Sequence, residues 1–346
     1  MSGKIELRGL TKIFGPEPEM ALKLARDGLT KHQLLDTMGH VLALKDIDLD
    51  IEAEYIHVVM GLSGSGKSTL IRLVNRLIEP TAGSVTIDGQ DITKFTANEL
   101  MEFRRQKIAM VFQRFALFPH KNVRDNVAYG LEVQGIEKKV RHTRAQEWIE
   151  RVGLTGYEGR VPAELSGGMQ QRVGLARALC AGAEILLMDE PFGALDPLIR
   201  CEMQDVLLAL QAELQKTILF ITHDLDEALR LGDRVAIMRD GNLLQDASPE
   251  DVVLRPADSH IAEFVQGINR GRALTVRAIL SKGHIDPHIA TSGPHIPAAM
   301  ALEDAAALLA REGAATGLVV GPGDQVMGRL TLAEITQAMT RPAVPA

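Results

Sequence analysis

The chain has 346 residues, with 45 acidic and 38 basic side chains and a formal net charge of −7. The length suits about two domains of roughly 150 residues each, and the acidic balance argues against a nucleic-acid partner. Two cysteines, Cys180 and Cys201, are too few for a disulfide framework, which favours a reducing cytoplasm. No apolar run approaches the length of about 18 residues that a membrane span requires, so we expect any work at a membrane to go through a partner protein.

The first third of the chain alternates predicted strands and helices. In order, the predicted elements are strand 4–14, a helical insert over about 17–40, strand 41–51, strand 57–60, helix 67–77, strand 85–88, helix 97–107 and strand 108–112. The insert is recognised by Ala and Leu at helical spacing among charged residues.

Helical periodicity then dominates a predicted subdomain over about 115–182, with a break near Pro162. Strands are predicted at 185–189, 218–222 and 235–238, with a helix at 198–215, and Asp240-Gly241 predicts a hairpin turn. Strands that alternate with helices predict an α/β domain with a mostly parallel sheet, an antiparallel β part and this helical subdomain, over residues 1–265.

The composition shifts towards Ala, Gly and Pro in a predicted linker over 266–298. The residues that mark the linker are Gly283, Pro287, Gly293, Pro294 and Pro297. Beyond it, helix 302–311, strand 316–320, a turn at 321–324, strand 325–330 and helix 332–340 predict a small α/β unit over 299–346.

A glycine-rich loop between a predicted strand and a predicted helix carries the strongest chemical signal. Its residues, with the one that follows, are Gly61, Leu62, Ser63, Gly64, Ser65, Gly66, Lys67, Ser68 and Thr69. Glycines let backbone N–H groups wrap the phosphates of ATP, and the helix start adds its positive end. Lys67 is predicted to neutralise the β- and γ-phosphates and Ser68 to ligate Mg²⁺. A chance glycine-rich turn is the alternative, which the flanking strand and helix disfavour.

The apolar strand Ile185–Met188 ends in two carboxylates. Asp189 at the strand tip is predicted to hold Mg²⁺. Glu190 lies at the open end, where a general base can take a proton from water. A solvated strand end would explain these residues if they stood alone, but their pairing with the phosphate loop favours the catalytic interpretation.

A second anion-binding pattern runs over Leu165–Arg172, where Ser166, Gly167 and Gly168 open a helix. One nucleotide rarely needs two γ-phosphate sites in one chain. We therefore expect a head-to-tail homodimer in which each chain caps the ATP of the other. A plain Ser N-cap is the alternative.

Polar residues also follow other strands of the predicted sheet. Gln113 follows strand 108–112, where its amide can reach Mg²⁺ or the attacking water, and His223 follows strand 218–222, where it can contact the γ-phosphate. Asp196 lies just past Glu190 and can cross the dimer seam. Ligands bind at the carboxyl ends of strands in open α/β sheets, so these residues are expected to converge on one crevice.

Together these motifs resemble the ATP-binding subunits of ABC transporters over residues 1–265. In the family's order, the matches are Walker A at Gly61–Ser68, the Q-loop at Gln113, the signature at Leu165–Arg172, Walker B at Ile185–Glu190, the D-loop at Ala194–Asp196 and the H-loop at His223. The resemblance implies ATP and Mg²⁺ as ligands and Phe14 as the residue that stacks on adenine, with core packing as the alternative for Phe14.

A narrower resemblance is to the quaternary-amine uptake subgroup, which imports glycine betaine, proline betaine, choline or related solutes such as trimethylamine N-oxide. The matching segments are 4–14, the insert 17–40, Gly61–Arg72, Asn75–Pro80, Ile108–Pro119, Arg172–Leu179 and Asp196–Gln204. The C-terminal unit resembles a CBS module, which that subgroup often carries as a tandem pair; here there is room for about one complete module or a degenerate pair.

The resemblance implies an ATPase of the translocase class at the cytoplasmic face of the membrane. Its expected partners are integral permease subunits, docked near Gln113–His120, and indirectly a substrate-binding protein. Two alternatives stay open: a nucleotide-sensing regulatory protein and a soluble ABC-type mechanical ATPase.

Overall fold

The computed structural model describes residues 4–113, 115–280 and 293–340. The chain divides into two compact units. The larger comprises Met1–Asp224 with Leu231–Asp246, and the smaller comprises Leu225–Arg230 with Ala247–Ala346. The division falls earlier than the expected boundary at residue 265, because the helices that follow residue 247 pack with C-terminal elements.

Strands and helices alternate along the chain as the sequence pattern predicts. Up to residue 247 the elements are β1 (Ile5–Phe14), α1 (Pro18–Arg26), α2 (Lys31–Met38), β2 (Val41–Ile51), β3 (Ile56–Met60), α3 (Lys67–Val74), β4 (Ala82–Ile87), β5 (Gln90–Asp91), α4 (Ala97–Lys107), β6 (Ile108–Phe112), α5 (Val123–Val127), α6 (Tyr129–Val133), α7 (Lys138–Arg151), α8 (Gly167–Cys180), β7 (Ile185–Asp189), α9 (Pro197–Leu214), β8 (Thr217–Thr222), α10 (Leu225–Leu231), β9 (Arg234–Arg239) and β10 (Asn242–Ala247). The sequence pattern did not predict β5 and α10.

The central sheet has the strand order β10-β9-β3-β8-β7-β6. Strands β9, β3, β8, β7 and β6 run parallel, and β3 and β8 are buried along their whole length. Parallel strands covered on both faces are largely apolar, which explains why apolar residues predominate in both strands. The carboxyl ends of β3, β6, β7 and β8 consequently meet at one edge of the sheet.

Asp240 and Gly241 join β9 to β10. Their φ angles are 51° and 83°, and a two-residue hairpin turn of the mirror-image type requires positive φ at both positions. The predicted hairpin is confirmed.

A second, antiparallel sheet has the order β2-β1-β4-β5. Burial alternates along β1, and its inward side chains pack in one core with α3 and the central sheet. Examples are Ile5 and Leu7 from β1, Val74 from α3 and Leu219 from β8. This shared core fixes the antiparallel sheet beside the helix that follows the glycine-rich loop.

The predicted helical region contains α5, α6, α7 and α8, and a 3-10 turn over Pro162–Glu164 lies where the break is expected. These helices have a core of their own. Its fully buried members include Val127, Leu131, Ile149 and Val173. The predicted insert contains α1 and α2, which pack on Ile13 of β1 and Leu42 of β2.

The smaller unit begins with short helices and ends in a three-stranded sheet with helices against it. After residue 247 the elements are α11 (Pro249–Leu254), α12 (Ser259–Val265), α13 (Arg270–Ala273), α14 (Val276–Ile279), β11 (His295–Pro297), α15 (Leu302–Arg311), β12 (Thr316–Val320), β13 (Val326–Thr331) and α16 (Leu332–Thr340). β12 pairs parallel with β11 and antiparallel with β13. The predicted helix–strand–strand–helix order of this unit is confirmed.

The expected linker over 266–298 differs from the structure in its described part, which contains α13, α14 and β11. Leu274 and Val276 are fully buried in the core of the smaller unit, and that burial explains why a segment between glycines and prolines is folded. Gly283 and Pro287, like the chain ends 1–3 and 341–346, lie outside the described residues.

Phe220 in β8 is among the largest fully buried side chains and packs 5.7 Å, between ring centroids, from Phe192. We expect Phe220→Ala to lower the free energy of unfolding of the larger unit by about 3–5 kcal/mol, because it leaves a cavity in a close-packed core. Urea unfolding followed by the fluorescence of the single tryptophan, Trp148, measures this change. Leu198→Ala is the control: Leu198 is 70% exposed, and a change within about 0.5 kcal/mol is expected. Equal effects in the two variants would contradict the assignment of Phe220 to the core.

Candidate functional site

The glycine-rich loop connects β3 to α3 and needs glycine at positions where a side chain would collide. Gly66, the N-cap of α3, has a φ of 106°, and a Cβ there would lie 2.6 Å from Leu44 Cδ2 and 2.8 Å from the Ala43 carbonyl oxygen. At Gly61 a Cβ would lie 2.2 Å from the Met238 carbonyl oxygen. The loop is therefore packed between β2 and the end of β9, and glycine at these two positions avoids a collision with either strand.

Lys67 begins α3 and is only 5% exposed. Its ammonium donates to the Gly61 and Leu62 carbonyl oxygens at 2.7 and 3.0 Å. Burial lowers the pKa of Lys67, and the nearby carboxylates of Glu190 and Asp189 oppose that shift. A buried cation under a loop of N–H donors matches a polyphosphate.

Ser68 and Asp189 bring a hydroxyl and a carboxylate together beside Lys67. The Ser68 hydroxyl donates to Asp189 Oδ1 at 3.0 Å. Burial raises the pKa of Asp189, and the hydrogen bond from Ser68 opposes the shift. The described residues contain no group of three or more His, Cys, Asp or Glu side chains that could hold a metal ion. This donor set fits Mg²⁺, which binds through one or two carboxylates together with substrate phosphates and water.

The buried Ser65 hydroxyl supports the same fit. Ser65 is 4% exposed, and within the described residues its Oγ has no hydrogen-bond partner. A buried hydroxyl without a partner is costly. It lies in the loop that would wrap the phosphates, where an oxygen acceptor would satisfy it.

Glu190, Gln113 and His223 meet at the carboxyl ends of β7, β6 and β8. Gln113 Nε2 donates to Glu190 Oε2 at 3.3 Å, and His223 Nδ1 lies 3.2 Å from the same oxygen. The Glu190 backbone has a φ of 45° and its N–H donates to the Ile221 carbonyl. Glu190 thus takes a left-handed conformation directly after β7, and the structure brings together three residues that are far apart in the sequence.

The Ser166 segment forms a separate group. Ser166 caps α8 by accepting the Met169 N–H at 3.3 Å and is exposed. A Cβ on Gly168 would lie 2.5 Å from Ile199 of α9, so glycine is required where the two helices meet. Asp196 caps α9 in the same way, by accepting the Ile199 N–H at 3.1 Å. The hydroxyl and the carboxylate thus act as helix caps in one chain, and both lie on the surface.

Phe14 ends β1 and is 41% exposed, which rules out ordinary core packing. The Lys12 ammonium lies 5.0 Å from the centre of its ring. Its partner across the strand pair is Val41 of β2. Two residues further along β2 is Ala43, whose carbonyl oxygen approaches Gly66, so the strand pair that carries Phe14 passes beside the loop.

Sequence reasoning missed Arg177 of α8. Its guanidinium donates to the Ala116 and Phe115 carbonyl oxygens at 2.7 and 3.2 Å. Phe115 and Ala116 both have positive φ angles, 51° and 47°, and a conformation that non-glycine residues rarely adopt needs such support. An arginine within the apolar stretch Val173–Leu179 is the signal that would have indicated a structural partner.

Comparison with known proteins identifies the family in which these motifs occur. The family model for ABC transporters matches residues 44–193. ProV of Escherichia coli, a glycine betaine/proline betaine transport system ATP-binding protein, is 47% identical over 99% of this chain and 84% of its own length. The chain belongs to the ABC transporter family. Membership implies that this ATP-binding protein hydrolyses ATP.

Two further relatives extend the match. OpuAA of Bacillus subtilis, a glycine betaine transport ATP-binding protein, is 50% identical over 81% of this chain and 67% of its own length. TmoW of Ruegeria pomeroyi, from a trimethylamine N-oxide transport system, is 44% identical over 94% of both chains. The similarity therefore extends well beyond the nucleotide-binding motifs.

Solved structures match the larger part of the fold. A dimeric ATP-binding cassette in a post-hydrolysis state with ADP and phosphate has a TM-score of 0.60 at 31% identity and covers 70% of this chain and 98% of its own. The cbiO1 subunit of Clostridium perfringens has a TM-score of 0.62 at 24% identity, covering 77% and 95%, and supports the fold alone. In the described part of the ATP-binding subunit, no helix is both long and apolar enough to cross a membrane.

Gly66 and Gly64 offer a matched pair for testing the loop. Both have positive φ, but a Cβ on Gly64 would meet no atom within 4 Å. We expect Gly64→Ala to cost about 1 kcal/mol through its left-handed backbone alone. Gly66→Ala should cost more, about 2–4 kcal/mol, because overpacking adds to the same strain. Thermal unfolding without nucleotide measures both, and a Gly66→Ala protein as stable as Gly64→Ala would show that the close approach of β2 is not required.

Proposed function

We propose that this chain is the ATP-hydrolysing subunit that energises uptake of quaternary and methylated amines such as glycine betaine, proline betaine, choline or trimethylamine N-oxide. Its reaction is of the translocase class, in which hydrolysis of ATP to ADP and phosphate drives transport. The observation that carries the proposal is the meeting of Glu190, Gln113 and His223 beside Lys67 and Asp189. The names of the relatives, over nearly the whole chain, support the solute class.

In this proposal the loop Gly61–Thr69 holds the phosphates and Phe14 stacks on the adenine ring. Ser68, Asp189 and Gln113 would hold Mg²⁺, which would supply positive charge to the phosphates. The Lys67 ammonium would supply further positive charge to them. Because the two carbonyl acceptors of the buried Lys67 ammonium supply no counter-charge, the site favours a polyanion over water.

Glu190 acts as the general base. Its Oε2 accepts from Gln113 and lies within hydrogen-bond distance of His223, so both neighbours orient the carboxylate toward the open edge of the sheet. A water placed there loses its proton to Glu190 as it attacks the γ-phosphate. His223 is more than half exposed and is free to turn toward the phosphate when the site closes.

A homodimer completes the site. Ser166, Gly167 and Gly168 open the 14-residue helix α8 at the surface, and an exposed helix start attracts anions. We propose that they and Asp196 act on the nucleotide of the partner chain. The dimeric ATP-binding cassettes among similar structures support this arrangement.

A groove beside the Gln113 loop is the proposed docking site for permease subunits, which would place the chain on the cytoplasmic face of the membrane. The groove has a volume of about 590 Å³ between α4, β6 and the helices α6 and α8. Met101, Phe112 and Val133 line it and are 46%, 37% and 39% exposed. Exposed apolar side chains that cluster in this way mark a protein interface, and a substrate-binding protein would act through the permease.

The smaller unit is proposed to be a single CBS-like module. The support is its order of elements, in which a parallel β11–β12 pair and an antiparallel β12–β13 pair lie against α15 and α16.

A purely regulatory, nucleotide-sensing protein would need no general base. Gln113 and His223 hold the Glu190 carboxylate in place, which favours ATP turnover over nucleotide sensing alone. A mechanical ATPase with two fused halves would have two sets of motifs, whereas this chain has one.

Glu190→Gln tests the general base. We expect its hydrolysis rate to fall by about 10²–10⁴-fold, because the amide cannot take a proton, while ATP still binds. Steady-state phosphate release and equilibrium binding of ATP measure the two quantities. Glu137→Gln, at an exposed position, serves as the matched control with normal turnover. A Glu190→Gln protein that hydrolyses ATP at the normal rate would remove Glu190 from the mechanism.

Val133→Glu tests the docking groove. A carboxylate in an apolar contact loses its hydration without a partner, so we expect transport of radiolabelled glycine betaine by the reconstituted complex to fall at least about tenfold. The control is Val140→Glu on α7, equally exposed at 40% but outside the groove, where transport should persist. Transport that survives in Val133→Glu, or fails equally in both variants, would argue against this docking site.

A further inference from the structure

The two ends of the helical insert are tied together by one buried histidine. His40 directly precedes β2 and is 2% exposed. Its Nδ1 lies 2.8 Å from the Met38 carbonyl oxygen at the end of α2, and its Nε2 accepts the Glu17 N–H at 3.2 Å at the start of α1. Because Nε2 is the acceptor, the ring proton resides on Nδ1, which donates to Met38. Both ring nitrogens are thus committed to the backbone of the insert.

The imidazole ring of His40 packs directly against Gly15. Its φ is 149°, and a Cβ there would lie 2.3 Å from His40 Cδ2. Only a residue without a side chain allows the imidazole so close to the backbone. The chain therefore leaves β1 and returns to β2 through a closed neck, which is formed by Gly15, Glu17, Met38 and His40.

The neck lies next to the proposed adenine platform. Phe14 immediately precedes Gly15, and Val41 immediately follows His40. The two residues are paired across the strands and are 41% and 42% exposed, which makes them an open apolar pair. Val41 is two residues from Ala43, or about 7 Å along an extended strand, and the Ala43 carbonyl approaches the glycine-rich loop.

The insert has a second anchor on the same side of the loop. Lys31 at the start of α2 lies 3.9 Å from Asp240 Oδ1 in the β9–β10 turn. The neighbouring Gly241 donates its N–H to the Ser65 carbonyl oxygen at 3.0 Å. The turn thus contacts both the insert and the glycine-rich loop, and the ion pair is too exposed to hold the insert by itself. The buried His40 bonds are the stronger restraint.

We propose that His40 is a positioning residue for the nucleotide base: by closing the neck of the insert it fixes Phe14, paired with Val41, as an apolar face for adenine. The inference rests on the proposed function, in which Phe14 stacks on the base. Removal of the ring leaves the Glu17 N–H and the Met38 carbonyl without their partner and opens space above Gly15. Phe14 then loses its fixed position, while the phosphate-binding residues of the loop keep theirs.

Steady-state hydrolysis by the full-length protein, with ATP varied, tests the proposal. We expect His40→Ala to raise the KM for ATP about three- to tenfold, the value of one aromatic contact, with little change in kcat. His40→Gln keeps an acceptor for the Glu17 N–H, so its KM should rise less. His32→Ala is the matched control, because His32 is an exposed histidine on α2 of the same insert and its loss should change neither constant.

Two further measurements separate positioning from general damage. Inorganic tripolyphosphate carries the phosphates without a base, so its inhibition constant should be the same in His40→Ala and the unmodified protein. In a double-mutant cycle, Phe14→Ala should remove the effect of His40→Ala, because coupled residues are not additive. An unchanged KM in both His40 variants, an inhibition constant that rises with the KM, or additive effects with Phe14→Ala would each overturn the proposal. The proposed function is tested separately: it fails if Lys67→Ala hydrolyses ATP as fast as the unmodified protein.

Discussion

The site depends on the burial of two opposite charges that do not fully satisfy each other. Burial lowers the pKa of Lys67 and raises the pKa of Asp189, so the surroundings of both groups disfavour their charged forms. The carbonyl acceptors of Lys67 and the hydroxyl donor of Asp189 are uncharged groups; a polyphosphate would give Lys67 an anionic partner, and a divalent cation would give Asp189 a cationic one. The pocket is therefore electrostatically complete only when both are bound together, which is the physical reason that a nucleotide–metal complex suits it better than either alone.

The parallel sheet places the proposed catalytic side chains next to these two buried charges, at one edge of the sheet. β7 lies between β6 and β8, so the residues that follow these strands are neighbours although they are distant in sequence. Glu190 turns through a left-handed conformation and contacts Gln113 and His223. Since β7 and β8 are buried along most of their length and β6 is hydrogen-bonded to β7, the strand ends have little freedom to move apart. A rigid edge of this kind suits a reaction that requires a carboxylate, an amide and an imidazole at fixed distances.

The sequence predicts most of this edge because its signals are local. The loop Gly61–Ser68 stands between a strand and a helix, and Asp189 and Glu190 end an apolar run, so each motif can be recognised within a few residues. The parallel arrangement then predicts which motifs meet. The hairpin at Asp240–Gly241 is predictable for the same reason, since two consecutive residues with positive φ select a small set of dipeptides.

Contacts between residues with no recognisable spacing were not predictable. His40 resembles any histidine before a strand until its two backbone partners are known, and Arg177 is one arginine in a helix. The boundary near residue 247 could not be predicted for the same reason. The helices α11 and α12 are short, and their assignment to the smaller unit follows from packing, as the burial of Val253 in the core of that unit and the contacts of α11 with α12 and α13 show.

The segment after Gln113 joins the catalytic edge to the proposed docking groove through a backbone that is held at defined points. Arg177 holds the Phe115 and Ala116 carbonyls. Asn126, fully buried, accepts the Phe118 N–H at 2.8 Å and donates to the Phe118 carbonyl at 3.1 Å. Phe118 lines the groove. Side chains of α5 and α8 thus fix the backbone of this segment at Phe115, Ala116 and Phe118. Gln113, with its amide on Glu190, is five positions before Phe118 in the sequence, so in the proposed arrangement a partner seated in the groove would contact a residue close in the chain to one that touches the general base.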